Sequence, residues 1–300
     1  MDRIKIFIDT DMGLDVDDAV ALTLAAYSPE VHLHGVSTIF GDTVTRARCV
    51  MELLEMVMGV PLGFPVAPGS PEPLCRARDT FWDGYDHKQI LRGLSGGEPC
   101  PLSGDDLLIE TVNSHPGEVV VLGIGPLTNI AKAFVKDPSV VTRIKRLVIM
   151  GGVFPGEDPG LPEVEYNIGS DPEAAKTVLS ADCDILLIPL NVTTKVELTP
   201  VHLQQLRSSR NPAGDILASM AEYWWELQKT SSSPMHDPLA VAAVFQPELL
   251  QVAPGKVAVT CEAGSDGQTR FFPDNDARTQ IAVGVDAEAF LKLLLERICP

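Results

Sequence analysis

Two short stretches, Val119-Val120-Val121-Leu122 and Ile185-Leu186-Leu187-Ile188, are apolar at every position. A strand with one face in water alternates polar and apolar residues, so an unbroken run reads as a strand covered on both faces. Helices on either side of a mainly parallel sheet supply that cover, because each parallel connection must cross back over the sheet. Strand candidates at residues 5–9, 31–38, 118–123, 146–150 and 184–190 alternate with helix candidates at 17–26, 43–57, 105–113, 127–135 and 172–180, as βα units require. From residue 200 consecutive helices take over, with a long one at 212–229, then a strand pair at 256–261 and 279–285 and a closing helix at 287–297. The fold class is therefore α/β: an open, mainly parallel, Rossmann-like sheet with helices on both faces and a helical C-terminal elaboration. At 300 residues and 45% hydrophobic content, one such domain over residues 1–300 accounts for the chain. Segments 65–98 and 152–162 lack periodicity, and loops that long are usually functional or disordered.

The balance of charge narrows the partners. With 41 acidic against 23 basic residues the net charge is −18, which speaks against nucleic acid or an anionic membrane surface and leaves a small neutral or cationic ligand. The first apolar run, from Ile4 to Ile8, is too short for a signal peptide, and no segment approaches the ~18 apolar residues of a membrane span. Six cysteines stand far apart with no Cys-x-x-Cys pair, so neither a zinc site nor a disulfide framework is indicated, and a reducing cytoplasm is the expected location.

The acidity is densest where the first strand candidate gives way to the first helix. Asp9, Asp11, Asp15, Asp17 and Asp18 fall within ten positions, and the nearest basic residues in sequence are Lys5 and Arg46, so no local Lys or Arg is expected to neutralise them. Carboxylates at 4 Å repel by about 4 kcal/mol at an effective dielectric near 20. A hard, oxygen-seeking cation such as Ca²⁺ or Mg²⁺ relieves that repulsion. An EF-hand loop needs Gly at its sixth position and Glu at its twelfth; counted from Asp9 these are Leu14 and Val20, which excludes that motif. In open α/β sheets ligands bind beyond the carboxyl ends of the strands, where this stretch sits. A Mg²⁺-dependent phosphatase of the haloacid dehalogenase type also places Asp-x-Asp after its first strand and is the alternative enzyme class. Lys136, Lys145 and Lys176 lack the loop context it needs.

Three further constellations end strand candidates or open helices: Gly123-Ile124-Gly125-Pro126-Leu127-Thr128-Asn129, Glu165-Tyr166-Asn167 with Asp171-Pro172-Glu173, and Met235-His236-Asp237-Pro238. Singly each has an ordinary explanation: Thr128 as a helix cap, Asn167 as a turn residue, His236-Asp237 as a structural contact. Taken in order, with Asp9-Thr10-Asp11, Asp17-Asp18-Ala19-Val20-Ala21-Leu22 and Val148-Ile149-Met150-Gly151-Gly152, they resemble the inosine–uridine nucleoside N-ribohydrolase family along nearly the whole chain.

The resemblance implies hydrolysis of the N-glycosidic bond of a purine or pyrimidine ribonucleoside, or a related N-riboside, to free base and ribose. It also implies one Ca²⁺ at the pocket floor, holding the attacking water and the ribose 2′- and 3′-hydroxyls. Asp11, Asp18 and Asp237 match its carboxylate ligands, and the backbone carbonyl of Ile124 matches a further protein ligand. Asp11 also matches the general base. Asp17 and Asn167 match residues that hydrogen-bond the ribose hydroxyls, and Glu165 matches one near the 5′-hydroxyl. His236 matches the acid that protonates the leaving base, a role suited to an imidazole of near-neutral pKa. Relatives are commonly homodimers or homotetramers, so a homo-oligomer is expected. A nucleoside- or sugar-binding protein without turnover is a further alternative, opposed by the presence of Asp11, His236 and Asp237.

Several positions depart from the family pattern. Asp15-Val16 is a two-residue insertion that leaves Asp15 without a role, and Asp42 stands where many members carry Asn, exchanging an amide donor for an acceptor close to the sugar or base. Pro159 or its neighbours fall near a position often held by Asn. Trp82-Asp83-Gly84-Tyr85-Asp86-His87 replaces a His-Gly-x-(Asp/Glu)-Gly loop, with Trp82, Tyr85 and His87 able either to stack on a base or to pin the loop. Of Tyr223-Trp224-Trp225, at most two can face one pocket at 3.6 residues per turn.

Overall fold

Both apolar runs lie inside one nine-stranded sheet. The computed structural model describes residues 3–13, 15–75, 97–154 and 160–300. In spatial order the strands are β10 (Thr269–Pro273), β9 (Leu250–Val259), β11 (Thr279–Val285), β6 (Ile185–Ile188), β5 (Arg146–Met150), β4 (Val119–Gly123), β1 (Ile4–Thr10), β2 (Val31–Thr38) and β3 (Val66–Pro68). Every pair from β11 to β3 is parallel, while β9 runs antiparallel to both β11 and β10. A two-stranded ribbon, β7 (Glu197–Leu198) with β8 (Ser233–Pro234), stands apart.

The period of two in each strand divides the core. Ile6, Ile8, Val120, Leu122, Val148 and Leu186 point to one face, and Phe7, Val119, Val121, Leu147, Ile149, Ile185 and Leu187 to the other, all buried. The helices are α1 (Asp17–Tyr27), α2 (Thr43–Met58), α3 (Gly104–Ser114), α4 (Thr128–Lys136), α5 (Val140–Arg143), α6 (Tyr166–Ser170), α7 (Pro172–Leu179), α8 (Leu190–Thr193), α9 (Pro200–Ser208), α10 (Gly214–Gln228), α11 (His236–Phe245) and α12 (Ala287–Ile298). The first face takes apolar side chains of α1, α2 and α9 to α12, the second those of α3, α4 and α7. Among the described residues no helix is long and apolar enough to cross a membrane.

Four elements differ from expectation, each for a local reason. The strand expected at 256–261 is the second half of ten-residue β9, whose first half was masked by Pro254 and Gly255. The short edge strands β3 and β10, neither of them among the strand candidates, each end in proline. Helix α6, five residues long, is too brief to show a 3.6-residue period.

What positions the site is register and helix packing. Asp9 of β1 pairs with Ser37 of β2 and Gly123 of β4, so the chain leaves all three strands at one edge of the sheet. Helix α11 packs against α1, which brings the beginnings of both helices to that edge.

Candidate active site

Strand β1 ends at Thr10, and α1 begins at Asp17 after a turn whose N-cap, Val16, offers no side-chain acceptor. Asp17 and Asp18 instead occupy the first turn, where the helix macrodipole favours negative charge. Asp237 sits in the first turn of α11 for the same reason. Where the two helix starts meet, carboxylate oxygens of Asp17, Asp18 and Asp237 lie within 4.8 Å of one another, and each residue is 5% exposed or less. Asp17 accepts backbone N–H groups of Asp18, at 3.1 Å, and of Asp237. Thr10 Oγ1 donates to Asp18 and accepts the N–H of Met12 at 3.0 Å, fixing the first half of the turn.

Burial, and then repulsion between neighbours, pushes all three carboxyls well above the ordinary range: Asp15 and Asp11 act on Asp17, Asp11 and Asp17 on Asp18, and Asp17 and Asp18 on Asp237. Asp15, half-buried beside them, is pushed up to about 7 by burial and by Asp18. Asp11 is raised by burial and lies near enough to act on Asp17, Asp18, Asp237 and Glu165. An all-oxygen donor set, buried and mutually repelling, fits a hard divalent cation and can hold one. The tight group contains Asp17 rather than Asp11, which the sequence reading placed in the ligand set.

One basic residue reaches the turn from far along the chain. Arg46, 35 residues from Asp11 in sequence, is 4% exposed, and its guanidinium donates to the backbone carbonyls of Asp11, Met12 (2.7 Å) and Phe40 (2.8 Å). Its positive charge acts on Asp11 and Asp18. The turn therefore has a basic neighbour after all, delivered by α2. The sequence held a signal for it: a basic residue in the first turn of a helix, where the macrodipole disfavours a cation.

The β4–α4 turn closes the second side. Ile124 is buried, its N–H donates to Asp9 O at 2.9 Å, and its carbonyl accepts Asn167 Nδ2 at 3.4 Å. At Gly125 an added Cβ would sit 2.8 Å from both the backbone N and Oδ1 of Asp11, so only glycine lets this turn lie against the acidic loop. Asn167 also donates to Met150 O at 3.3 Å. Glu165 is the N-cap of α6: its carboxylate accepts N–H groups of Asn167 (2.7 Å), Ile168 (2.9 Å) and Gly152 (2.9 Å), and burial nevertheless raises its pKa. Glu165 thus locks Asn167 beside the end of β5.

His236 opens α11 beside Asp237. Its Nδ1 lies 2.6 Å from Thr193 Oγ1, and desolvation pulls the imidazole down to about 4, in place of the near-neutral value expected from sequence. The ring is therefore neutral at physiological pH. Asp42 is exposed and caps α2, accepting from Thr45 N (3.0 Å) and Thr45 Oγ1 (2.6 Å).

Part of the motif set proves to be scaffold. Asp9, fully buried and pushed up to about 7 by desolvation, accepts from Ser37 Oγ (2.5 Å) and Asn129 Nδ2 (2.7 Å). Asn129 also receives Ser70 N at 2.9 Å, while Asp171 binds Thr128 Oγ1 and Leu74 N, each at 2.6 Å, and caps α7. Leu127, not Thr128, is the N-cap of α4. Trp225 is a core residue whose Nε1 donates to Ser233 Oγ at 2.6 Å, and Trp224 packs against the same core. Pro159 and the 82–87 segment lie outside the described residues. No disulfide joins any two of the six cysteines, all of which lie among the described residues.

A mainly parallel α/β sheet with a buried, cation-compatible carboxylate cluster at its carboxyl edge suits a metal-dependent enzyme, and known relatives say of which kind. The model of the inosine-uridine preferring nucleoside hydrolase family matches residues 6–292, and the chain belongs to that family. A probable uridine nucleosidase 2 from Arabidopsis thaliana is 33% identical, the match covering 99% of this chain and 98% of the relative. The pyrimidine-specific ribonucleoside hydrolase RihA of Salmonella paratyphi A is 30% identical, with 98% of each covered. Among solved structures, the plant nucleoside hydrolase PpNRh1 superposes with a TM-score of 0.83 at 29% identity over 99% of both chains. A purine-preferring ribonucleoside hydrolase from Gardnerella vaginalis gives 0.85 at 28% over 98% of both. The chain is thus a nucleoside hydrolase, and the phosphatase alternative finds no support.

Proposed function

We propose that this enzyme hydrolyses the N-glycosidic bond of ribonucleosides in a Ca²⁺-dependent reaction, with uridine the first substrate to test. The observation that carries the metal reading is the buried meeting of Asp17, Asp18 and Asp237. Uridine follows from the names of the full-length curated relatives, a uridine nucleosidase and a pyrimidine-specific hydrolase. The solved relative named as purine-preferring keeps purine nucleosides in the panel.

In this proposal Asp11, Asp18, Asp237 and the Ile124 carbonyl hold the cation, and Asp17 lies within reach of the same ion. When bound, Ca²⁺ lowers the pKa of a coordinated water and gives the sugar diol a fixed partner. Asp11 takes the proton of the water as it attacks C1′, and Asp17 and Asn167 hold the ribose hydroxyls. Glu165 faces the 5′-hydroxyl while its carboxylate keeps Asn167 and Gly152 in place. The negative field of these groups stabilises the oxocarbenium-like ribosyl centre as the bond to the base breaks. His236, oriented by Thr193, stands toward the leaving base, where the neutral ring hydrogen-bonds it as it departs with the bonding pair and takes its proton from solvent. Asp42 and the aromatic segment 82–87 are proposed to bear on base choice.

A ribonucleoside panel incubated with metal-free enzyme, with and without added Ca²⁺, and read by chromatography for free base tests the proposal. Base release that requires the cation and disappears in Asp11→Ala is expected. Turnover unaffected by chelation would remove the metal reading, and no base release from any nucleoside would remove the substrate reading.

A further inference from the structure

We infer that Arg46 is a positioning residue: its guanidinium fixes the backbone at Asp11 and Met12 in the conformation that presents Asp11 to the site. The inference rests on the reading of Asp11 above and deepens it.

Three carbonyls converge on this one side chain. Nε reaches Phe40 O at 2.8 Å, and Nη1 serves both Met12 O, at 2.7 Å, and Asp11 O. The side chain therefore ties the turn after β1 to the turn after β2, two segments whose only common feature in sequence is the strand edge they leave. Both preferences that govern local structure oppose this arrangement. Phe40 is held at φ +66°, a left-handed conformation that L-residues avoid, with its ring buried, and Gly41 follows at the same φ. Arg46 is the fourth residue of α2, in the first turn, at the positive end of the helix macrodipole. Asp42, the cap of that helix, offsets part of that repulsion. A planar fork with donors in fixed directions suits three fixed carbonyls, whereas a lysine ammonium is a point charge on a flexible stem.

The guanidinium also places a positive charge close to Asp11 and Asp18. Charge and position predict opposite signs for cation binding. As a like charge, Arg46 weakens the uptake of Ca²⁺; as the holder of the loop, it strengthens it by presenting ligands already in place.

The test uses the full chain with Arg46→Lys and Arg46→Met beside the wild type. Ca²⁺ is titrated calorimetrically into metal-free protein, kcat and KM are measured on uridine at saturating Ca²⁺, and hydrogen exchange is followed in the metal-free peptide spanning residues 9–18. Both variants are expected to bind Ca²⁺ at least ~10-fold more weakly, to lose ~10-fold or more in kcat with little change in KM, and to exchange faster in that peptide, with Lys giving no rescue. Equal or tighter Ca²⁺ binding by Arg46→Met, full rescue by Arg46→Lys, or unchanged exchange would each overturn the inference. If Arg46→Met does not fold, Arg46→Lys decides alone by the same criteria. If the wild type takes up no Ca²⁺, or cleaves no nucleoside, the functional reading fails by itself, and faster or unchanged exchange in Arg46→Lys still supports or overturns the positioning role.

Discussion

The two ends of the central sheet handle charge in opposite ways. At the amino edge, Lys5 of β1 pairs with Glu118 just before β4, and this pairing holds the Glu118 carboxyl below its ordinary range. His32 and His34 of β2 meet at 3.0 Å, and Lys145 and Arg3 line the same open surface. At the carboxyl edge Asp17, Asp18 and Asp237 are buried against each other and raised instead of lowered. Opposite charges in contact with water complete the amino edge from within the chain. Like charges withdrawn from water leave the carboxyl edge with a repulsion that a bound cation would relieve.

The sharpest way to break this contrast is to remove the proposed base. Asp11→Ala is expected to lose about 10³-fold in kcat, measured as base release from uridine, while keeping its fold. Next in size is the response to cation. At a Ca²⁺ concentration 100-fold above Kd the native protein gains about 2.7 kcal/mol, seen as a rise in Tm over the chelated form. Asp237→Asn, which removes one charge from a repelling group, is expected to raise the chelated Tm and abolish that Ca²⁺-dependent rise. A large rise that survives the substitution would place the ion elsewhere.

A smaller effect follows from linkage. Asp15 has an ordinary value of 3.8 and is raised to about 7 in the fold, with Asp17, Asp18 and Asp237 raised in the same direction. A raised carboxyl keeps its protons longer in the folded state, so its contribution to stability is whole below about 4 and is lost as pH climbs through 7. Chelated protein should therefore melt lower at pH 7.5 than at pH 5.5, and saturating Ca²⁺ should diminish the difference. A chelated Tm that rises over that interval would contradict the burial of like charges. The smallest effect belongs to the amino edge. Lys5→Met is expected to leave kcat and KM for uridine unchanged and to move Tm only marginally, because the ion pair it breaks is open to solvent.

The difference between the edges also explains what could be read from the chain. Repeating βα patterns are local, so β2 and β5 fall on their expected residues, and α1, α2, α3, α4 and α12 begin and end within a residue or two of expectation. Edge strands β3 and β10 were hidden because proline and short length remove the period that marks a strand. In the site, the carboxylate run was legible because its members are neighbours in sequence, and Asp237 was recognisable through its motif. Arg46 carried only one local mark, a basic residue in the first turn of a helix, and neither residue distance nor composition shows that helix turning it back onto a strand end. Nor was the neutral His236 legible, because a pKa of about 4 arises from burial, which exists only in the folded chain.

By itself the sequence determined a doubly covered parallel sheet, an acidic turn at its carboxyl edge, and a family resemblance that the comparisons bear out. These follow from hydrophobic period and from residues adjacent along the chain. Tertiary structure alone decided which carboxylates meet, that Asp17 joins Asp18 and Asp237 at the start of two packed helices, and that Asn129 and Asp171 serve as ties between loops. It also decided that the acidic run has a buried arginine at its back. The physical reason is range: electrostatic and hydrogen-bond energies depend on distances in space and on exclusion of water, and neither exists until the sheet has brought its loops to one edge.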